Sequence, residues 1–218
     1  MIIIVSDKIL NRAYHKLDSN QKLMYESIID DKIKVVCVDA PAGTGKTYIS
    51  VLASLELMNE GKVSKIHYIR FPDDRSLRLG YLPGDTYDKE HIYFHPLYSA
   101  FTEFGLYSES VDDMIRCEQL VVSTDISLRG TNIKNSVVII DEAQNGHLSD
   151  LKLVLTRVSD DCKVILIGHS SQYDNFKGIN DKAFSRYIDH FIKKNWAVKV
   201  ELTTNYRGKV SQWADLLE

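Results

Sequence analysis

Along most of this chain, short apolar, β-branched runs alternate with stretches of helical spacing. Ile33 to Val38 is such a run, and Lys46 to Asn59 then repeats its apolar residues (Ile49, Leu52, Ala53, Leu55 to Leu57) as a helix does. Gly61 sits where a glycine closes a helix. The same pattern predicts strands over Lys65 to Phe71, Gln119 to Ser123, Val137 to Asp141, Lys163 to Gly168 and Trp196 to Leu202. It predicts helices over Leu148 to Val158 and Asp181 to Lys194, with another starting near Lys209. Near-continuous apolar strands separated by helices indicate a parallel sheet covered on both faces.

The stretch from Phe71 to Cys117 breaks this rhythm. It carries Pro72, Pro83 and Pro96 together with Tyr81, Tyr87, Tyr93, Phe94, Tyr98 and Phe101. Two readings stand side by side, an ordered insert over residues 72–117 that faces a substrate, or a satellite apolar cluster under a long loop.

At 218 residues, 44% apolar and 26% charged, the chain suits one globular α/β domain. The longest apolar runs, such as Val137 to Ile140, are far too short to span a bilayer. No basic-then-apolar leader opens the chain, so the expected location is cytoplasmic, with no membrane partner. A net charge of −3 excludes a uniformly basic nucleic-acid binder but leaves room for a local basic patch. Cys37, Cys117 and Cys162 are scattered and form no CxxC pair, which argues against a disulfide framework or a zinc ribbon.

The sharpest chemical signal is Ala40-Pro41-Ala42-Gly43-Thr44-Gly45-Lys46-Thr47, set between a strand and a helix. Small residues let successive backbone N–H groups wrap phosphates, and the helix N-terminus adds positive potential. Ala42, Gly43, Thr44 and Gly45 form that cradle, Lys46 reaches the β- and γ-phosphates, and the Thr47 hydroxyl holds Mg²⁺. Ala40 stands where the common pattern starts with Gly.

A second signal is Val137-Val138-Ile139-Ile140-Asp141-Glu142, a buried strand ending in two acids. Asp141 is placed to hold the Mg²⁺ shell and Glu142 to polarise an attacking water. Alone, the pair could instead cap a helix before Leu148, a reading that the glycine-rich loop upstream disfavours. Past the next strand, Gln172 offers an amide to the γ-phosphate and the attacking water, unless that segment is a plain strand-to-helix loop.

Taken together, these residues resemble the PhoH-like family of P-loop ATPases, kin of superfamily 1 helicase motors. The resemblance runs over roughly residues 18 to 207. It is carried by Ala42 to Thr47, by Leu79-Gly80-Tyr81-Leu82-Pro83-Gly84-Asp85 with Lys89 and Pro96-Leu97-Tyr98, by Arg129-Gly130-Thr131, by Ile140-Asp141-Glu142-Ala143-Gln144-Asn145, and by Leu155-Thr156-Arg157. It implies a single RecA-like P-loop NTPase domain over residues 1–218 that binds ATP and Mg²⁺ and hydrolyses ATP, coupled to RNA or single-stranded DNA. Two departures stand out. His169 replaces an Asp usual after that Gly, and Asp125 lies where Pro is common.

Two flanking sites resemble those of superfamily 1 motors. Gln21 is placed like a glutamine that reads the adenine edge, although Asp18 to Gln21 also spells a helix capping box. In Thr203-Thr204-Asn205-Tyr206-Arg207-Gly208, Tyr206 is placed to stack on adenine and Arg207 to touch the γ-phosphate. A lone motor domain with such an arginine leans towards supply from a neighbouring subunit, hence a homo-oligomeric ring such as a hexamer.

Three functions compete. The first is an ATPase acting on RNA or single-stranded DNA, with Lys62, Lys65, Arg70, Arg75 and Arg78 against Asp73 and Asp74 as its basic stretch. The second is a slow ATP-dependent switch or assembly factor that controls a protein partner. The third is a P-loop kinase, disfavoured because Glu142 directly after Asp141 suits water activation better than transfer to a protected hydroxyl.

Overall fold

In a computed structural model of the protein, the described residues are 4–71, 94–123, 132–171 and 182–214. Two helices open the chain, α1 (Asp7–His15) and α2 (Ser19–Ile29), followed by β1 (Val35–Asp39), α3 (Lys46–Asn59) and β2 (Lys65–Arg70). Then come α4 (His95–Glu103), α5 (Ser108–Arg116), β3 (Leu120–Ser123) and β4 (Ser136–Asp141). The described chain finishes with α6 (Leu148–Leu155), β5 (Lys163–Gly168), α7 (Ala183–Phe191), β6 (Ala197–Glu201) and α8 (Lys209–Ala214).

The strands form one six-stranded sheet in the order β3-β2-β4-β5-β1-β6, with every neighbouring pair parallel. β4 and β5 are buried at every position, as strands covered on both faces must be. Side chains alternate across the sheet, so the strands feed two cores. Val36, Val38, Ile66, Tyr68, Val137, Ile139, Ile165 and Ile167 pack under α1 to α5. Cys37, Ile69, Val138, Ile140, Val164 and Leu166 pack against α6 and α7 through Leu151, Val154, Phe184 and Ile188. This is an α/β domain with a RecA-like core: the strand that feeds the glycine-rich loop, β1, and the strand with the acidic tip, β4, are separated only by β5.

Of the stretch 72–117, residues 94–117 belong to the main core rather than to a separate lobe or a satellite cluster. Phe94, Leu97, Phe101, Phe104, Val111 and Met114 join the cluster that surrounds α3, and Tyr48 stacks on Phe104 at 4.9 Å. Helix spacing explains it: Leu97, Ala100 and Phe101 recur on one face of α4, enough to bury it. The Leu79 to Lys89 motif, Arg75, Arg78, Asp125 and Arg129 to Thr131 lie outside the described residues.

Candidate active site

The parallel sheet brings the carboxyl ends of β1, β4 and β5 to one edge, where open α/β sheets place their ligands. Ala40 N–H donates to Gly168 O at 3.0 Å, and Ser170 N–H to Asp39 Oδ1 at 2.9 Å, so the tips of β1 and β5 are stitched together. From there the chain turns through Pro41 to Gly45 into α3, whose first-turn N–H groups have no partner within the helix. Lys46 Nζ donates to Ala40 O at 2.7 Å and Pro41 O at 2.8 Å, and Thr44 Oγ1 to Pro41 O at 3.0 Å. The loop is thus closed around its own lysine. Burial pushes the Lys46 ammonium below the usual lysine range, Arg207 pushes the same way, and Glu142 and Asp141 oppose both.

Asp141, only 3% exposed, ends β4 beside the start of α3. Its Oδ2 accepts from Thr47 Oγ1 at 3.1 Å and from the Tyr68 hydroxyl, and its Oδ1 from Glu142 N–H at 2.8 Å. A hydroxyl and a carboxylate at this spacing are hard oxygen donors, the set Mg²⁺ takes when phosphates supply the remaining ligands. Among the described residues no group of three or more His, Cys, Asp or Glu is gathered for a metal.

Glu142 adopts a left-handed backbone, φ +52°, and this breaks the strand. A non-glycine residue there costs on the order of 1 kcal/mol. The carboxylates do not cap the next helix; a turn over Ala143–Asn145 intervenes, and the cap position of α6 is His147. Instead Glu142 Oε2 accepts from Gln144 Nε2 at 2.6 Å, while Arg70 Nη2 lies 3.9 Å from Oε1. Gln144 Oε1 in turn accepts from His169 N–H at 3.1 Å.

The segment after β6 returns to the loop. Tyr206 N–H donates to Gly43 O at 2.8 Å, and its hydroxyl donates to Asp18 Oδ2. Asn205 Oδ1 accepts from Arg207 N–H at 2.9 Å, and Asn205 Nδ2 reaches Ser211 Oγ at 2.9 Å. Contact here is so close that a Cβ on Gly43 would stand 2.6 Å from Asn205 Oδ1 and 3.0 Å from Arg207 Cγ. With φ at +78° as well, only glycine suits position 43. Arg207 therefore lies on the loop of its own chain.

Gln21 is 7% exposed and completes the capping box of α2: its N–H donates to Asp18 Oδ1 at 2.8 Å, and its Oε1 accepts from Asp18 N–H at 3.2 Å. Its Nε2 donates to Thr44 O at 3.0 Å. Both ends of the amide are engaged, one by the helix and one by the glycine-rich loop.

The fold thus gathers Lys46, Thr47, Asp141, Glu142 and Arg207 at one edge, with Gln21 and Tyr206 on its flank. Gln172 lies outside the described residues. The sequence reading passed over Gln144, Asn205 and Tyr68. Gln144 and Asn205 lie inside the two motifs that carry Asp141 and Arg207; Tyr68 has no signal in the sequence, because an aromatic in a buried strand reads as core.

Comparison with known proteins agrees with this geometry. The family model for "PhoH-like protein" matches residues 15–214. The PhoH-like proteins of Bacillus subtilis and Synechocystis sp. are each 34% identical, over 64% and 62% of this chain and 43% and 40% of their own lengths. Protein PhoH of Escherichia coli is 31% identical over 72% of this chain and 45% of its own. The chain spans less than half the length of these relatives. With a glycine-rich loop, a Thr–Asp pair and an acidic strand tip in place, and the match running over residues 15–214, the chain belongs to the PhoH-like family.

Proposed function

We propose that this domain binds ATP with Mg²⁺ and hydrolyses it to ADP and phosphate. The observation that carries the reading is the meeting of Lys46, Thr47, Asp141 and Glu142 at the carboxyl edge of the sheet, within the hydrogen bonds described above. Lys46 leaves the carbonyls of Ala40 and Pro41 for the β- and γ-phosphates. Thr47 and Asp141 would hold the cation, which when bound would supply positive charge against the phosphate oxygens. Glu142 takes the proton of the attacking water, and Gln144 orients its carboxylate. Arg207, held on the loop of its own chain, reaches the γ-phosphate in cis. Tyr206, 56% exposed, offers a stacking face to the base.

Coupling to RNA or single-stranded DNA is the use we propose for the energy, without extensive base reading. The three described bases of the stretch give it little: Lys62 pairs with Asp31 and Glu60, Lys65 with Glu118, and Arg70 faces Glu142. Arg75 and Arg78, the rest of that stretch, lie outside the described residues. ATP turnover with Mg²⁺, measured with and without RNA or single-stranded DNA, tests both parts. Stimulation supports the coupled ATPase, whereas Mg²⁺-dependent turnover that ignores both polymers points to a switch acting on a protein partner. Absence of turnover under every condition overturns the enzymatic reading.

A further inference from the structure

Tyr68 has no place in the phosphate-loop chemistry, yet its hydroxyl ends on the carboxylate assigned to the cation. The residue is fully buried, at 0% exposure, in the middle of β2. Its ring meets Phe94 edge-on at 5.9 Å. Parallel register pairs Tyr68 with Ile139 and Arg70 with Asp141. Residues two apart share a face of the sheet, so a long side chain at 68 leaning along the strand reaches the carboxylate at the tip of β4. The hydroxyl donates to Asp141 Oδ2 at 2.5 Å, the same oxygen that accepts from Thr47 Oγ1 at 3.1 Å. With Glu142 N–H on Oδ1, three donors fix the carboxylate in plane and tilt.

Packing alone asks for no oxygen here. A Phe would fill the same space and escape the cost of burying a hydroxyl, which among the described residues the bond to Asp141 offsets. The geometry points to a role for that oxygen: we propose that Tyr68 is a positioning residue of the cation site, its O–H holding Asp141 Oδ2 towards Thr47 before nucleotide and metal bind. This rests on the reading of Thr47 and Asp141 as the metal pair. Mg²⁺ demands near-octahedral geometry and gives up water reluctantly, so a carboxylate set in advance matters more to it than to the tolerant Ca²⁺. A donor to a metal-binding group typically changes metal affinity by about 10- to 100-fold when removed.

The test uses the whole chain saturated with ADP and Mn²⁺ as the probe, free Mn²⁺ being read by electron paramagnetic resonance. Mg²⁺ and Ca²⁺ are then used as competitors. Tyr68→Phe removes one oxygen and keeps the ring. Expected are Mn²⁺ affinity lowered about tenfold, a larger loss for Mg²⁺ than for Ca²⁺, and unchanged melting temperature and ADP affinity in EDTA. Asp141→Ala serves as the reference. If it lowers Mn²⁺ affinity and Tyr68→Phe does not, the Tyr68 role is wrong while the metal pair stands. If Asp141→Ala leaves Mn²⁺ affinity at the parental value, the metal reading fails and takes this inference with it. A Tyr68→Phe protein that loses stability, or loses ADP affinity in EDTA along with the metal, makes the hydroxyl a structural feature and overturns the proposal.

Discussion

Gln144 ties Glu142 to the tip of β5: its Nε2 donates to Glu142 Oε2 at 2.6 Å, and its Oε1 accepts from His169 N–H at 3.1 Å. The proposed base is therefore aimed by an amide that leans on a neighbouring strand. Gly168 leaves room for it. A Cβ there would stand 2.6 Å from Gln144 Oε1 and 3.1 Å from the Phe184 ring. Gly168→Ala is expected to displace the amide, cost about 1–3 kcal/mol of stability and slow turnover, with ATP affinity largely kept. Parental turnover in a folded Gly168→Ala protein would show that Glu142 needs no such aim.

Lys46 and Glu142 are expected to fail differently. Lys46→Ala removes a point charge from the phosphates and should abolish ATP binding in a direct titration. Glu142→Gln keeps binding and should stop hydrolysis, because an amide cannot take the proton of water. Turnover by Glu142→Gln at the parental rate sinks the assignment.

Gln21 carries a mixed role. With its amide divided between Asp18 and Thr44, Gln21→Ala is expected to cost about 1 kcal/mol through the lost capping box and to weaken ATP and GTP alike by loosening the loop. Differential scanning calorimetry and parallel titrations read the two effects. A collapse of the ATP-over-GTP preference at unchanged melting temperature would restore direct reading of adenine.

Arg207→Ala should leave ATP bound and cut turnover by about 10³-fold or more, as loss of an arginine finger does. Since Arg207 Cγ and Cδ lie against Gly43 of the same chain, its action is expected in cis. A mixture of Arg207→Ala and Lys46→Ala proteins should therefore stay inactive. Recovery of activity on mixing would reinstate a neighbour's arginine, and with it the ring expected from sequence.

Acid should weaken the fold through His67. Burial, helped by Lys65, pushes its imidazole down to about 4, and the ring faces Ser123 Oγ at 3.2 Å. The folded chain thus holds this proton less readily than the unfolded chain, whose histidine titrates near 6.5. The stabilisation is complete above about 6.5 and is lost as pH falls through about 4, at up to about 1.4 kcal/mol per pH unit. Unfolding curves of His67→Gln and the parent between these limits should converge as pH falls; parallel curves would exclude His67 as the source.

Local residue order decided more of this protein than is usual for a site. The phosphate loop is contiguous, Ala40 to Thr47, so its chemistry was legible before any fold was known. The same holds for the acids at the end of Val137 to Asp141, and for the parallel sheet, because strands buried on both faces must be apolar at every position. Helix α1 went unpredicted, its face marked by little more than Leu10 and Ala13.

What only the tertiary structure decided are meetings between residues far apart in the chain. Tyr68 lies 73 positions from Asp141, and Tyr206 lies 188 from Asp18. No periodicity encodes such distances, because they depend on strand order, register and the path of the crossovers. The same reason made Gln21 ambiguous, since a capping box and a loop contact call for the same residue. It also hid which chain's loop Arg207 lies on. A motif records that an arginine is needed, but the return of the chain over Gly43 places it on its own loop.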